Sequence, residues 1–385
     1  MTTQTKTSYG DHAARKLPSG SWNVRVHLPP LADGTYPRKS FTAKKLSDAR
    51  KLADAYLKSI QLGVDVEAGT ISLAVYLSDF LKKYMSKKER QMRPLANGTR
   101  VEYERAIKVL TAEVGDAPLN RLLPTVIESA IWSRGASPDV ARKRYTVLNL
   151  ALKEALYENL IEVNVLDRVE RPVGNGHKKP VILTPEEIAT IFAEAEDTRF
   201  EIALRIQLMV GCRIGELLAL KWSDVDMEKS KVTIQRAIDR YSEVPSFKPV
   251  KNYEARTIEV TPEVLDILRK HRQNQRLQKL RTLAWNDEDL IFPSATGSIW
   301  LYSNYRRDLQ PIIASSGVSR ADGETVGTHS FRHACAAILL TSGIPLAQVS
   351  KFLGHQNIRT TDQYYGHLLE DTSEAASVMS KFLSA

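Results

Sequence analysis

Two arginines, two histidines and a tyrosine are the residues of this chain whose types and spacing could do chemistry together. Arg213 stands in an upstream segment, and His329, Arg332, His355 and Tyr365 follow near the end of the chain. A guanidinium fork binds phosphate oxygens in pairs, an imidazole titrates near neutral pH, and a tyrosine hydroxyl can be a covalent nucleophile. No acidic pair and no metal-ligand spacing lies near them in the sequence. The set predicts phosphoryl transfer through a tyrosyl-phosphate, without a metal or another cofactor.

Two pairs within this set have the spacing of one helical turn. Glu216 follows Arg213 by three residues and Arg332 follows His329 by three, so each pair shares a helix face. Glu216 is therefore interpreted as a support that orients Arg213 or another group of the site. His333 points about a quarter turn aside from Arg332 and is interpreted as structural.

The histidine near the end of the chain follows a helix-breaking signal. Leu353-Gly354 precedes His355, and a glycine at this place predicts a break between two helices.

Length, composition and cysteine usage bound the class of protein. A chain of 385 residues exceeds what one hydrophobic core usually supports, so two or three domains are expected. No apolar run reaches bilayer-spanning length, and residues 1–20 lack an apolar signal core. Cys212 and Cys335 are the only cysteines. We therefore expect a reduced, cytoplasmic protein without a disulfide framework and without a membrane partner.

The net charge of +9 is concentrated at the N-terminal end. Residues 1–60 hold eleven lysines and arginines against four acidic residues, and a second basic run covers residues 82–90. Such a balance favours a polyanion such as DNA as partner. A basic surface that binds only solvent would fit the composition equally well. The choice between these two interpretations therefore depends on the motifs.

Patterning along the chain predicts a multidomain, mainly α protein with three domains. Residues 1–65 read as a small α+β module, a three-stranded sheet plus one helix. Its signals are alternation over residues 21–27, turns at residues 18–20 and 32–34, a returning strand over 36–42 and a helix from Ser47 to about residue 61. A module this small and basic is expected to dock onto a partner.

The other two domains have different patterns. Residues 70–172 are helix-patterned, with helices expected over 71–84, 97–110, 119–132 and 138–160, and a Pro/Gly-rich linker over 171–180 follows. Residues 180–385 open with a capping box at Thr184-Pro185-Glu186-Glu187 and are expected to be mixed but mainly α. Strands over 231–238 and 256–260 predict a small antiparallel sheet, and the chain from Ser330 onward reads as helical.

Four short motifs in this order carry a resemblance to a known family. They are Gly211-Cys212-Arg213-Ile214-Gly215-Glu216 with its continuation to Asp224, His329-x-x-Arg332-His333, Leu353-Gly354-His355, and Thr360-Thr361-x-x-x-Tyr365-x-His367. Together they resemble the catalytic signature of the tyrosine recombinases, the phage integrase family, over roughly residues 180–370. The helical region and the basic module before it match that family's core-binding and arm-binding domains in position and size.

The resemblance implies a role for each residue of the set. Arg213 and Arg332 would clamp the scissile phosphate, and His355 would donate a hydrogen bond to it. His329 would act as acid/base, taking the proton of Tyr365 as the tyrosine attacks. The product would be a 3′-phosphotyrosyl bond that a 5′-hydroxyl from a partner strand can reverse.

Two assignments remain open between neighbours. Tyr364 and Tyr365 point about 100° apart on a helix, so one of them can face the phosphate. The Tyr-x-His and Thr-Thr-x-x-x-Tyr patterns favour Tyr365, and the shorter spacing of other family members would select Tyr364. The family also implies a lysine in the hairpin that protonates the leaving 5′-oxygen. Lys251 is favoured over Lys248 by its distance to Arg256-Thr257-Ile258.

The expected function is site-specific recombination that integrates or excises a phage genome or an integrative element. The expected partners are double-stranded DNA at core and arm-type sites, a homotetramer on that DNA, and a directionality factor or host DNA-bending protein. The expected place is the nucleoid of a bacterial host. The alternatives are a chromosome-dimer-resolution or transposon recombinase of this family, a type IB-like topoisomerase, and a non-catalytic DNA-binding protein. An amphipathic stripe from Ala375 to Leu383 predicts a C-terminal helix that fills a groove on a neighbouring protomer or folds back onto its own domain.

Overall fold

The computed structural model describes residues 12–28, 35, 37–61, 70–174, 180–242, 244–250, 254–319 and 326–369. The chain divides into two units, residues 1–176 and residues 177–385. The turn predicted at residues 32–34, Lys251 and the C-terminal stripe lie outside the described residues. Within the described ranges, no helix is long and apolar enough to cross a membrane.

The first unit begins with the predicted three-stranded sheet and helix. Strands β1 (His12–Lys16), β2 (Trp22–His27) and β3 (Arg38–Ala43) pair antiparallel in that order, with Val24 opposite both Ala14 and Phe41. Helix α1 (Leu46–Gln61) covers one face of the sheet, because Val24 and Val26 share a small core with Ala49, Ala53 and Leu57 of the helix. The alternation in β2 thus puts its apolar residues inside, as the sequence predicted.

The rest of the first unit is helical and has its own hydrophobic core. It contains α2 (Leu73–Arg90), α3 (Asn97–Val114), α4 (Pro124–Trp132) and α5 (Pro138–Tyr157), whose apolar faces pack together. All four helices differ from their predicted bounds at one end or both. Helix α3 continues beyond the predicted residue 110 to Val114, and α5 ends at Tyr157 instead of residue 160. Helix α2 continues through the basic run to Arg90, and the helix expected from residue 119 begins at Pro124. Residues 119–121 form a separate 3₁₀ turn, and proline favours the first position of the helix that follows.

The second unit opens with three helices. Helix α6 (Pro185–Glu194) starts at the predicted capping box, in which Thr184 and Glu187 each accept a hydrogen bond from the other's backbone amide. Helix α7 (Glu201–Val210) and the short α8 (Ile214–Leu217) follow, and both contribute to the largest hydrophobic core of the unit.

Two small antiparallel sheets stand where one was expected. Strands β4 (Val225–Asp226), β5 (Lys231–Ile234) and β8 (Arg256–Glu259) form the first sheet in the order β4-β5-β8, and β6 (Arg236–Asp239) pairs with β7 (Ser246–Pro249). The predicted strand over 231–238 is therefore broken at Gln235. The Gln235 side chain donates to the buried Asp224 carboxylate at 2.7 Å, and the chain beyond it pairs with a different partner.

Five more helices lie in the described part of the second unit. They are α9 (Pro262–Arg281), α10 (Tyr302–Ser315), α11 (Ser330–Thr341), α12 (Leu346–Leu353) and α13 (Ile358–Tyr365). The last three share a separate apolar cluster to which α11 contributes Cys335 and Leu340, α12 contributes Val349 and Leu353, and α13 contributes Tyr365. This cluster sets the relative position of the three C-terminal segments that carry the predicted site residues.

Candidate active site

The backbone that presents Arg213 depends on a glycine. Helix α7 ends at Gly211, whose φ of 60° is left-handed, and Arg213 then stands in an extended conformation as the N-cap of α8. A Cβ at position 211 would meet Leu353 Cδ2 at 2.9 Å and Cys335 Sγ at 3.0 Å. Both the φ and the close approach of α11 and α12 therefore require glycine here.

Arg213 is held by Glu216 and by the corner that precedes His355. Its Nη1 donates to Glu216 Oε1 at 2.9 Å, and its Nη2 donates to the Gly354 carbonyl at 3.3 Å. The Arg213 backbone amide also donates to Glu216 Oε2 at 3.0 Å. The Arg213 side chain keeps 32% of its surface exposed, so a phosphate can still reach the guanidinium.

A second arginine, Arg256, completes this network and was not predicted as a site residue. Its Nη2 donates to Glu216 Oε2 at 2.6 Å from the start of β8. Burial raises the pKa of Glu216, but the hydrogen bond and charge of Arg256, followed by Arg213, outweigh burial and lower that pKa to about 2. The sequence marked Arg256 as the start of a strand, and no local pattern linked it to Glu216, forty residues away.

Arg332 lies in the first turn of α11 and is almost completely buried. Its Nη1 donates to the Gly211 carbonyl at 2.6 Å, while among the described residues its Nη2 has no hydrogen-bond partner. Burial, followed by the charge of Arg213, lowers the pKa of Arg332 to about 10. A buried cation that is short of partners and close to a second cation is a site that an anion would stabilise.

The histidines predicted from the motifs are neutral in this environment. His329 is the N-cap of α11, and its Nδ1 lies 3.3 Å from Thr328 Oγ1. Burial, followed by the charges of Arg332, Arg240 and Arg213, lowers the pKa of His329 to about 4.

His355 follows the predicted break. Gly354 ends α12 with a φ of 70°, and His355 Nδ1 lies 2.8 Å from the hydroxyl of Thr361, a fully buried residue of α13. This hydrogen bond orients the ring and leaves Nε2 for another partner. Burial, followed by the charges of Arg332 and Arg213, lowers the pKa of His355 to about 3.

Tyr365 is the last residue of α13, and its ring is 1% exposed. Its hydroxyl lies 2.6 Å from Nδ1 of His333, and the charge of Arg332 acts on the phenol. Burial raises the pKa of Tyr365 above its usual range, in spite of the opposing effect of Arg332. The neighbouring Tyr364 is half-buried, with its ring centroid 6.1 Å from that of Tyr365.

His333 is the second residue of the site that sequence reasoning missed. It was interpreted as structural because it points away from Arg332. The structure places it against the Tyr365 hydroxyl. The available signal was its spacing from His329, because residues four apart lie on the same helix face.

The two candidate lysines are distinguished only in part. Lys248 lies on β7, where its Nζ is 3.4 Å from the buried Asp239 carboxylate. Lys251 lies outside the described residues, so its role as proton donor stays a prediction.

Taken together, the described residues form a cationic site around one tyrosine. Burial, followed by the charge of Arg213, lowers the pKa of Arg332. The neutral histidines offer ring nitrogens that can donate or accept a hydrogen bond. Fixed donors of this kind stabilise charge that develops on a phosphate during substitution. Within the described ranges, no three histidine, cysteine, aspartate or glutamate side chains are grouped so as to hold a metal ion.

Comparisons with known proteins agree with this geometry. The family model described as "Phage integrase family" matches residues 182–371. A XerC-like tyrosine recombinase of Caldanaerobacter subterraneus is 24% identical over 90% of this chain and 92% of its own length. An integrase of prophage phiRv2 from Mycobacterium tuberculosis is 23% identical over 95% of this chain and 94% of its own.

Two solved structures share the fold. The integrase of transposon Tn1549, in complex with a circular intermediate DNA, has a TM-score of 0.65 and 19% identity, covering 81% of this chain and 99% of that one. Lambda integrase, solved as a tetramer bound to a Holliday junction, has a TM-score of 0.61 and 17% identity over 91% of this chain and 94% of that one. The matching segment, residues 182–371, contains every residue of the site described above. This chain belongs to the phage integrase family of tyrosine recombinases.

Proposed function

We propose that this chain is a site-specific DNA recombinase that integrates or excises a mobile element. It would cleave and rejoin double-stranded DNA through a 3′-phosphotyrosyl intermediate. The observation that carries the proposal is the placement of Tyr365 beside Arg332, in a site where Arg213, His329 and His355 are also held. A tyrosine hydroxyl close to one guanidinium group, Arg332, which itself interacts with a second one, Arg213, suits attack on a phosphodiester.

The proposed reaction begins when the scissile phosphate binds the cationic site. The free Nη2 of Arg332 and the exposed part of Arg213 would take the non-bridging oxygens, and Nε2 of His355 would add a hydrogen bond. These groups are fixed by Gly211, Glu216 and Thr361 before DNA arrives, so little reorganisation is needed in the transition state.

The chemistry then exchanges one phosphodiester for another. The Tyr365 oxygen bonds to phosphorus as its O–H proton passes to a neutral histidine of the site. The bond from phosphorus to the 5′-oxygen breaks, and that oxygen takes a proton from a lysine, for which we propose Lys251. A 5′-hydroxyl from a partner duplex reverses the step and completes one strand exchange. The energy of the phosphodiester is kept in the tyrosyl-phosphate, so ATP is not needed.

The domain proposal assigns separate DNA contacts to the separate parts of the chain. Residues 180–385 would carry the catalysis, residues 70–172 would bind core DNA, and the basic module of residues 1–65 would bind arm-type sites. A homotetramer is proposed from the lambda integrase assembly on a Holliday junction. The similarity to the Tn1549 integrase makes a transposon element as suitable a substrate as a phage genome.

One experiment separates this function from its alternatives. The purified chain is incubated with the two ends of the DNA element that contains its gene, as nicked duplexes whose cleavage releases a short 5′-hydroxyl strand. A covalent protein–DNA adduct resistant to detergent, together with joint products between two duplexes, is the expected result. Adducts with relaxation of any supercoiled plasmid but no joint products would indicate a topoisomerase. Binding without adducts would indicate a non-catalytic DNA-binding protein.

A further inference from the structure

Among the described residues, the Tyr365 hydroxyl has a hydrogen-bond partner, His333, that the family motif does not use as a catalytic group. His333 Nδ1 lies 2.6 Å from the hydroxyl, within the range of a strong hydrogen bond. His333 is on α11 and Tyr365 is on α13, thirty-two residues later, so the contact is tertiary. The Tyr365 ring is buried in the apolar cluster of the three C-terminal helices, which leaves its hydroxyl one well-defined direction.

We propose that His333 orients the nucleophile and accepts its proton. The inference rests on the proposed recombinase function. As the Tyr365 oxygen bonds to phosphorus, its O–H bond breaks and the proton passes to His333 Nδ1. The bond from phosphorus to the 5′-oxygen breaks in the same substitution, and that oxygen is protonated by a separate donor. When the strand is rejoined, His333 returns the proton to the departing Tyr365 oxygen.

The protonation state of His333 suits an acceptor. Burial, followed by the charges of His329 and Arg332, lowers the pKa of His333 to about 4, so the ring is neutral at neutral pH. A neutral imidazole has one N–H and one acceptor nitrogen. Because a phenol close to a cation donates more readily than it accepts, Nδ1 is the acceptor and Nε2 carries the hydrogen.

The charged groups around His333 would allow a bound phosphate to raise its basicity. His329 and Arg332 face it from its own helix, the rings of Tyr364 and Tyr365 face it from α13, and His355 is close enough for His333 to affect its pKa. A bound phosphate would bring negative charge to Arg332. That charge offsets the repulsion between Arg332 and a protonated His333, so the imidazolium forms more easily as the proton leaves the phenol.

His329, which the family resemblance favoured for this proton, has a different position. It lies one helical turn before His333, at the N-cap of α11, where its Nδ1 contacts the Thr328 hydroxyl. Burial, followed by the charges of Arg332, Arg240 and Arg213, lowers the pKa of His329, so its ring interacts with the two arginines that would hold the phosphate. His329 therefore remains a candidate donor to the phosphate.

The test compares two substitutions that separate orientation from proton transfer. His333→Asn keeps a hydrogen-bond acceptor near the position of Nδ1 but cannot take a proton, and His333→Ala removes both functions. Each is measured by single-turnover adduct formation on the nicked duplex, from about pH 6 to about pH 10. We expect His333→Asn to lose about 10²-fold in rate at neutral pH, the usual contribution of a general base. His333→Ala should lose more, because the orienting hydrogen bond is removed as well. The Tyr364→Phe variant, which alters the other ring facing His333, should keep the wild-type rate.

A more acidic nucleophile gives the second, independent readout. Tyr365 is replaced by difluorotyrosine, whose phenol ionises at lower pH, in the wild-type chain and in His333→Asn. The deficit of His333→Asn should shrink markedly with difluorotyrosine and at high pH, because an ionised phenol needs no acceptor. A histidine that only supports the fold would give the same deficit with both nucleophiles and at every pH.

The outcomes distinguish this inference from the proposed function. A wild-type chain that forms no adduct on either element end overturns the proposed function, and the assignment of His333 with it. Adduct formation by wild type with His333→Asn near the wild-type rate overturns the proton transfer alone. Faster cleavage by His333→Ala would also overturn the proton transfer, because it would mean that the hydrogen bond between His333 and Tyr365 holds the tyrosine back from the phosphate. DNA binding and the melting temperature are measured on each variant to identify one that has lost its fold. If His333→Asn has lost its fold, the comparison between tyrosine and difluorotyrosine is made in His333→Gln, and its result decides whether His333 accepts the proton.

Discussion

Glu216 Oε2 accepts a hydrogen bond from Arg256 Nη2 at 2.6 Å, which ties the first residue of β8 to the short helix that follows Arg213. The other carboxylate oxygen holds Arg213 itself. Arg256 also lines the corner before His355, because a Cβ on Gly354 would approach its guanidinium within 3.1 Å. Arg256 thus acts through Glu216 and Gly354 as a positioning residue for the phosphate clamp.

Replacing Arg256 should lower the free energy of unfolding more than replacing an exposed lysine of the same sheet. Arg256→Gln leaves the buried Glu216 carboxylate with one cationic partner, and breaking a buried pair usually costs about 3 to 5 kcal/mol. We expect a lower free energy of unfolding in urea and slower adduct formation. The control is Lys231→Gln, which breaks the exposed pair between β5 and β8 with Glu259 and should cost less than about 1 kcal/mol. Equal losses in the two variants would contradict a positioning role for Arg256.

The lowered pKa of Glu216 predicts how acid affects stability. Because the folded-state pKa of about 2 lies below the ordinary value of 4.5, the ionised carboxylate stabilises the fold above pH 4.5. This contribution is lost as pH falls from about 4.5 towards about 2. Urea unfolding of the wild type should therefore show falling stability across this window. Glu216→Gln should be less stable at neutral pH and should have a flatter acid dependence. A parallel dependence in both proteins would argue against the paired carboxylate.

The choice between the adjacent tyrosines can be tested directly. Tyr365→Phe should keep DNA binding and lose all covalent adducts, because its hydroxyl is the one held beside His333 and Arg332. Tyr364→Phe should still form adducts. Adducts on the nicked duplex are measured by denaturing gel, and the opposite pattern would move the nucleophile by one residue.

Cleavage should not depend on divalent metal ions. The two guanidinium groups and the ring nitrogens of the site offer the charge stabilisation that a metal supplies in other phosphoryl-transfer enzymes. Adduct formation by wild type should therefore continue at the same rate in excess EDTA. Its complete loss in chelator, with recovery on adding magnesium, would refute the mechanism.

The N-terminal module should contribute a separate set of phosphate contacts. A chain lacking residues 1–65 should still bind core DNA but should lose arm-type sites and integration. Since the logarithm of affinity falls with the logarithm of salt by about 0.9 per phosphate contact, the truncation should flatten that slope for arm-type DNA alone. Recombination at the wild-type rate by the truncated chain would mean that the module is dispensable.

The sequence by itself determined the features that depend on neighbouring residues. The capping box at Thr184, the alternation that places Val24 and Val26 in the core, and the glycine break at Gly354 are local chemistry, written within a few residues. Short motifs were also enough to recognise the family, since each keeps its spacing within a turn or two of helix.

Only the tertiary structure decided which distant residues meet. Arg213 reaches the Gly354 carbonyl 141 residues later, Arg332 reaches back to Gly211 across 121, and Arg256 and His333 joined the site without any local signal strong enough to name them. The strand expected over 231–238 is divided at Gln235, whose side chain donates to the buried Asp224 carboxylate, and the residues after Gln235 pair with β7 instead. Such contacts depend on how the apolar faces of helices and strands pack against one another. Because this packing involves residues from the whole core, a short stretch of sequence does not predict it.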